Sequence, residues 1–102
     1  MIYKTITNTS EHDLVVRGNN LNMFGGRVGG VSKITITNVH ATVEPVVRVF
    51  LEDAAGVEFD IAKALIPVNT TLVVDDNVSF NGAIYSLKIQ ASITGELDII
   101  VK

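Results

Sequence analysis

The sequence predicts an all-β protein, folded as a single β-sandwich or jelly-roll-like domain, and three observations carry that expectation. The hydrophobes are mostly β-branched: 15 Val and 11 Ile, with 9 Thr beside them, against 7 Leu and 7 Ala. Such side chains lose χ1 freedom on a helix and pack well on a pleated surface. Apolar and polar residues alternate with period 2 through most segments, as half-buried strands require. Turn-forming residues interrupt that alternation at roughly 10-residue intervals, which gives about seven or eight short antiparallel strands.

Taken in order, residues 2–7 and 14–17 read as short strands separated by the turn-rich Asn8, Thr9, Ser10 and Glu11. Ile34 and Ile36 alternate with Lys33, Thr35 and Thr37 in a third strand. Val47, Val49 and Leu51 alternate with Arg48 and Glu52, and Val57, Phe59 and Ile61 with Glu58 and Asp60. These two runs pair as a hairpin, because Asp53-Ala54-Ala55-Gly56 between them suits a short turn with one left-handed residue. Pro67 removes a backbone donor, so residues 70–74 read as a separate strand after a turn at Pro67-Val68-Asn69. Helical spacing of Ile61, Ala64, Leu65 and Val68 offers an alternative over residues 60–68, but such a helix is short to stand in water. Tyr85, Leu87 and Ile89 oppose Ser86, Lys88 and Gln90; Leu97, Ile99 and Val101 oppose Asp98, Ile100 and Lys102. The expected interior is Val47, Val49, Leu51, Phe59, Ile61, Tyr85, Leu87, Ile89, Leu97, Ile99 and Val101.

A chain of 102 residues is one domain, since two halves would each be too small to bury a core. With 47% hydrophobic residues it is not a disordered tail, and it has no apolar run long enough for a membrane span. Without cysteine there is no disulfide framework, thiolate zinc site or cysteine nucleophile. No basic-then-apolar leader precedes Tyr3, so use without export is expected. A formal charge of -3 argues against binding nucleic acid by neutralising phosphates.

Residues 18–30 carry five of the 8 glycines and form a long loop. Its Leu21, Met23 and Phe24 are costly to leave in water, and with Arg27 they are candidate contacts to a partner surface. The Gly25-Gly26-Arg27-Val28-Gly29-Gly30 run lacks the Lys-Ser/Thr of a phosphate loop, and a strand rather than a helix follows it. His12 and His40 have no second ligand at metal spacing and read as turn or strand-end residues. Glu52-Asp53 and Asp75-Asp76-Asn77 could supply oxygen ligands to calcium if their turns met, but neither has a calcium-loop spacing; Asx side chains more often bond their own turn. No catalytic residue, metal site or cofactor is therefore expected. Phe50, Ile84 and Ile100 fall on outward registers, so they join the candidate interface residues.

Four runs carry a resemblance: Val49-Phe50-Leu51-Glu52-Asp53-Ala54-Ala55-Gly56, then Ile66-Pro67-Val68-Asn69-Thr70-Thr71-Leu72-Val73-Val74-Asp75-Asp76-Asn77, then Tyr85-Ser86-Leu87-Lys88-Ile89, and Leu97-Asp98-Ile99-Ile100-Val101-Lys102. Over about residues 31–102 the chain resembles small structural proteins of tailed bacteriophage virions, of the marine and cyanobacterial phage type. The resemblance implies a non-enzymatic virion protein, assembled in the host cytoplasm as a homo-oligomer or against the major capsid protein or other virion subunits. A capsid decoration protein that clamps the head is the first expectation. A head-to-tail connector or a tail or fibre module is the second, and a carbohydrate-binding lectin-like domain, which needs exposed aromatics, the third.

Overall fold

The computed structural model describes residues 2–16, 31–75, 80–81 and 84–102, and these form eight strands with no helix. They are β1 (Ile2–Ile6), β2 (His12–Val15), β3 (Ile34–Asn38), β4 (Val46–Glu52), β5 (Glu58–Leu65), β6 (Thr71–Val74), β7 (Ser86–Ala91) and β8 (Leu97–Val101). Sheet A has the order β1-β8-β3-β6 and sheet B the order β2-β7-β4-β5, every pairing antiparallel. The first strand thus lies beside the eighth, the second beside the seventh, the third beside the sixth and the fourth beside the fifth. The chain is one long hairpin, folded at the β4–β5 turn and rolled until its two arms make two facing sheets. That is the jelly-roll form of the β-sandwich.

The hairpin turn follows from its residues. Asp53 Oδ1 accepts the N–H groups of Ala55 (2.9 Å) and Val57 (3.0 Å), while Asp53 C=O accepts from Gly56 N (3.1 Å). Gly56 then takes φ 84°, a conformation glycine adopts without a Cβ penalty. At the other end of β5, Asn69 turns the chain toward sheet A with φ 59°, the left-handed region asparagine tolerates.

Alternation places the core where the sequence puts it for Val47, Val49, Leu87, Ile89, Leu97, Ile99 and Val101, all at most 1% exposed. Ile6, Ile34 and Ile36 join them from β1 and β3. Leu51, Ile61 and Tyr85 are only partly buried against that core, and Phe59, expected inside, is 52% exposed. The reason is position in the sheet. β5 is the edge strand of sheet B, and its pairing shifts between Val49 and Phe50, where Ala62 and then Asp60 face β4. Ile61 is the extra residue of that β-bulge, which bends the strand away from the interior. Phe59 instead meets Tyr85 edge-on, with ring centroids 6.1 Å apart. The helical alternative over residues 60–68 does not hold, because the strand runs on to Leu65, with Ala62 and Ala64 opposite the buried Val49 and Val47.

Asn38 ends β3 on the inward register after Ile34 and Ile36 and is fully buried. Its Nδ2 donates to the carbonyls of Val43 (2.7 Å) and Ile66 (2.9 Å), and its Oδ1 accepts from His40 N (3.0 Å). One amide thereby ties the β3–β4 connection to the end of β5.

Candidate functional site

The two outer faces of the sandwich differ in kind. On sheet B, alternation directs Arg48, Phe50 and Glu52 of β4, Lys88 and Gln90 of β7, and Glu58, Asp60 and Lys63 of β5 away from the core. Arg48 reaches Glu58 (2.9 Å), Asp60 (3.1 Å) and Glu11 (3.7 Å), and its Nε and Nη2 donate to Gln90 Oε1. Lys88 reaches Glu52 (2.9 Å), Glu11 (3.4 Å) and Asp13 (3.9 Å), so Glu11 is shared between the two cations. Under this layer lies Phe50, with the Arg48 guanidinium 3.9 Å above its ring centroid. Its outward register is as expected. Its expected role as an exposed contact is not, because the charged side chains cover it completely, at 0% exposure.

Hydrogen bonding to Glu52 raises the Lys88 pKa above its ordinary value; burial opposes the rise, and Glu11 and Asp13 add to it. For Arg48 burial is the largest influence and acts downward, but the hydrogen bonds and charges of Glu58 and Asp60 together outweigh it and leave the guanidinium pKa raised. A cation whose folded pKa is raised contributes stability that is complete below its unfolded pKa and lost as pH climbs through the folded value. The wild type is therefore expected to exceed Lys88→Met by about 1 kcal/mol at neutral pH, a modest figure because the ammonium still meets solvent. Thermal melts should show that margin intact below about pH 10, near the unfolded lysine pKa, and shrinking above it.

Glu11, Glu52 and Glu58 each bring a carboxylate oxygen to within 4.8 Å of the others. That spacing could take a divalent cation, but each of the three carboxylates is already ion-paired with Arg48 or Lys88. Asp53 is committed to its own turn, and Asp76 and Asn77 lie outside the described residues. A cleft of about 370 Å³ opens beside the charged layer, between Thr9, Val46, Arg48, Lys63, Gln90, Ala91 and Ser92. Two of its polar side chains serve the fold: Gln90 Nε2 donates to Thr9 C=O, and Ser92 Oγ accepts from Val46 N. His12 Nε2 is 2.7 Å from Asn8 Oδ1, and His40 Nδ1 accepts the N–H groups of Thr42 and Val43, both at 3.1 Å. Both histidines are thus turn or strand-end residues, as the sequence suggests.

The outer face of sheet A is nearly uncharged. The strand registers align Tyr3, Ile100, Thr35 and Val73 in one row across all four strands, and Thr5, Asp98, Thr37 and Thr71 in the next. Tyr3 is 71% and Val73 46% exposed. In the second row the polar groups satisfy one another, Thr5 Oγ1 donating to Asp98 Oδ1 (2.9 Å) and Thr37 Oγ1 lying 2.9 Å from Thr71 Oγ1. Apart from the Asp98 carboxylate, which the Thr5 hydroxyl contacts, the face can lose its water with few unmet hydrogen bonds.

Of the interface candidates in the sequence, Ile100 lies in the first row and Ile84 is 47% exposed. Leu21, Met23, Phe24 and Arg27, with the loop at 18–30, lie outside the described residues. Tyr3 was the signal to find: Ile2 and Ile6 face inward, so the aromatic between them faces out. Comparison with protein-family models, curated proteins and solved structures finds no match.

Proposed function

We propose that this chain is a non-enzymatic structural protein of a tailed-phage virion, a decoration subunit that seats the outer face of sheet A on the major capsid protein. The observation that carries this reading is the row of Tyr3, Ile100, Thr35 and Val73 beside hydroxyls that are already paired. Interfaces carry few charges at their centre and use aromatic anchors, and this face offers one aromatic, Tyr3, and a single carboxylate, Asp98, in its two rows. The opposite face suits solvent, its charges being held in mutual ion pairs over Phe50. A jelly roll is also a common architecture of viral capsid domains, which is support by analogy of fold. Neither face places a nucleophile next to a base and an orienting group among the described residues, in keeping with a binding role.

Mass spectrometry of purified virions tests membership of the particle, and electron cryomicroscopy tests location. Density on the capsid exterior, with sheet A against the shell, is the expected result. Density at the neck or tail would move the chain to a connector or tail module, and its absence from particles would end the virion reading. Tyr3→Lys with Ile100→Glu changes only outward side chains and sets opposite charges across from one another. It should leave the melting temperature close to wild type while weakening attachment to heads at least about thirtyfold, the scale of losing one interface anchor. Tyr3-dependent binding on a glycan array would favour the lectin reading instead.

A further inference from the structure

A two-sheet sandwich leaves four edges, and three of them carry features that discourage pairing with another chain. On β1, Lys4 sits on the inward register among Ile2 and Ile6 and sends its Nζ to Asp13 C=O (3.3 Å). On β2, the register breaks between Asp13 and Val15. β5 is the longest edge and exposes Phe59 and Leu65, but the bulge at Ile61 interrupts it, and Glu58, Asp60 and Lys63 charge it. The fourth edge, β6, reads Thr71-Leu72-Val73-Val74, with no charge, no proline and no break in its register to β3.

The ladder fixes which β6 groups are available. Val39 N donates to Glu96 C=O and Lys102 N to Lys33 C=O, so odd-numbered β3 residues bond toward β8; Asn38 N donates to Thr70 C=O, so even-numbered ones bond toward β6. Hydrogen bonds in an antiparallel pair alternate in this way. Leu72 and Val74 therefore bond inward to β3, and the N–H and C=O of Thr71 and Val73 point out from the sheet. No strand among the described residues pairs with them.

We propose that this edge is a self-association surface, on which a second copy of the chain adds its own β6 antiparallel, about a two-fold axis through Leu72. That axis sets Thr71 of each copy opposite Val73 of the other, so all four outward groups of each strand are bonded within the strand itself. An axis at Thr71 or Val73 would leave half of them to residues beyond it. The same register brings Asp75 opposite Asn69 rather than another carboxylate. It also runs the outer face of sheet A, with Asp98 the one charge in its two rows, across eight strands without a like-charge contact. The self-complementarity that an isologous two-fold contact requires is thus present in the strand.

Sedimentation equilibrium of the full chain over rising concentration tests the proposal, with a monomer–dimer equilibrium expected. Val73→Pro deletes an N–H that points out from the sheet and that no strand among the described residues uses, at an edge position that accepts proline. It should keep the melting temperature and weaken dimerisation about tenfold or more, whereas Lys63→Ala on β5 should leave dimerisation unchanged. The chain has no cysteine, so engineered thiols report register cleanly. Mild oxidation should cross-link Leu72→Cys, which meets itself at the axis, and not Val73→Cys, which meets Thr71. If Leu72→Cys does not fold, the proline variant decides. A monomer at every concentration, a dimer undiminished by Val73→Pro, or ready cross-linking of Val73→Cys would overturn the pairing. The virion reading is separable: a monomeric chain recovered in particles would overturn this edge and leave that reading standing.

Discussion

Phe50→Ala is expected to destabilise the domain by about 3–5 kcal/mol, the cost of truncating a core phenylalanine, although the ring lies outside the space between the sheets. The ring is fully buried, and what buries it is charge. Arg48 stacks on its face, and the registers set Lys88 and Asp60 on either side of it. A ring in that position covers the backbone of the central strand and gives the guanidinium a flat surface on which to meet Glu58, Asp60 and Gln90 together. Its removal leaves a void that the ion pairs must span or fill with water. It also forfeits a cation–π contact of roughly 0.5–2 kcal/mol. At about 4–8 °C per kcal/mol for a domain of this size, the melting temperature should fall by more than 12 °C. Phe50→Leu should recover most of the loss by filling the same space. A double-mutant cycle with Arg48→Met should return a coupling of about 1 kcal/mol. A loss below about 1 kcal/mol for Phe50→Ala would mean that the charged layer holds itself together without the ring.

That site marks where reading by alternation stops. Period 2 says which face a side chain leaves the strand on, and it did so correctly for Phe50, Ile100 and the buried residues of β7 and β8. It does not say whether that face is wet. Phe50 is dry because the Arg48 guanidinium lies over it and Lys88 sits beside it, and their carboxylate partners come from four places in the chain, the β1–β2 turn, β2, β4 and β5. Conversely, Phe59 is on the inward register and wet, because β5 is an edge strand and a bulge tilts it. Neither strand order nor bulge position follows from local pattern, since both depend on which strands pair. The outer face of sheet A was half legible for the same reason. Tyr3, Thr35, Val73 and Ile100 can each be assigned outward from their own strands, but only the order β1-β8-β3-β6 makes them one row.

Asn38 is the position where the same parity rule sets a polar side chain inward, and its replacement carries the second large expected effect. It follows Ile34 and Ile36 at the inward spacing, which puts an amide where the fold otherwise keeps aliphatic side chains. A buried amide is tolerated only when its polar atoms are engaged, and here Nδ2 uses both hydrogens and Oδ1 takes one. Asn38→Ala orphans the carbonyls of Val43 and Ile66 and the N–H of His40 at once. With about 1–3 kcal/mol for each buried group left unmet, and partial relief from water at the more open Val43 end, the loss should total roughly 3 kcal/mol. Asn38→Asp is the sharper test, since it keeps the shape but replaces two donors with a carboxylate facing two carbonyl oxygens. Burial and those oxygens would raise its pKa above the unfolded value, so its stability should be greatest in acid, where the protonated carboxyl can donate one bond, and lost as pH rises through the folded value. Melts of wild type and variant at matched pH should therefore diverge on going from pH 4 to pH 7, by about 2 kcal/mol or more if both carbonyls depend on Nδ2. A constant difference across that range, or an alanine variant within about 1 kcal/mol of wild type, would show that the β3–β4 connection and the end of β5 are held by their backbone contacts alone.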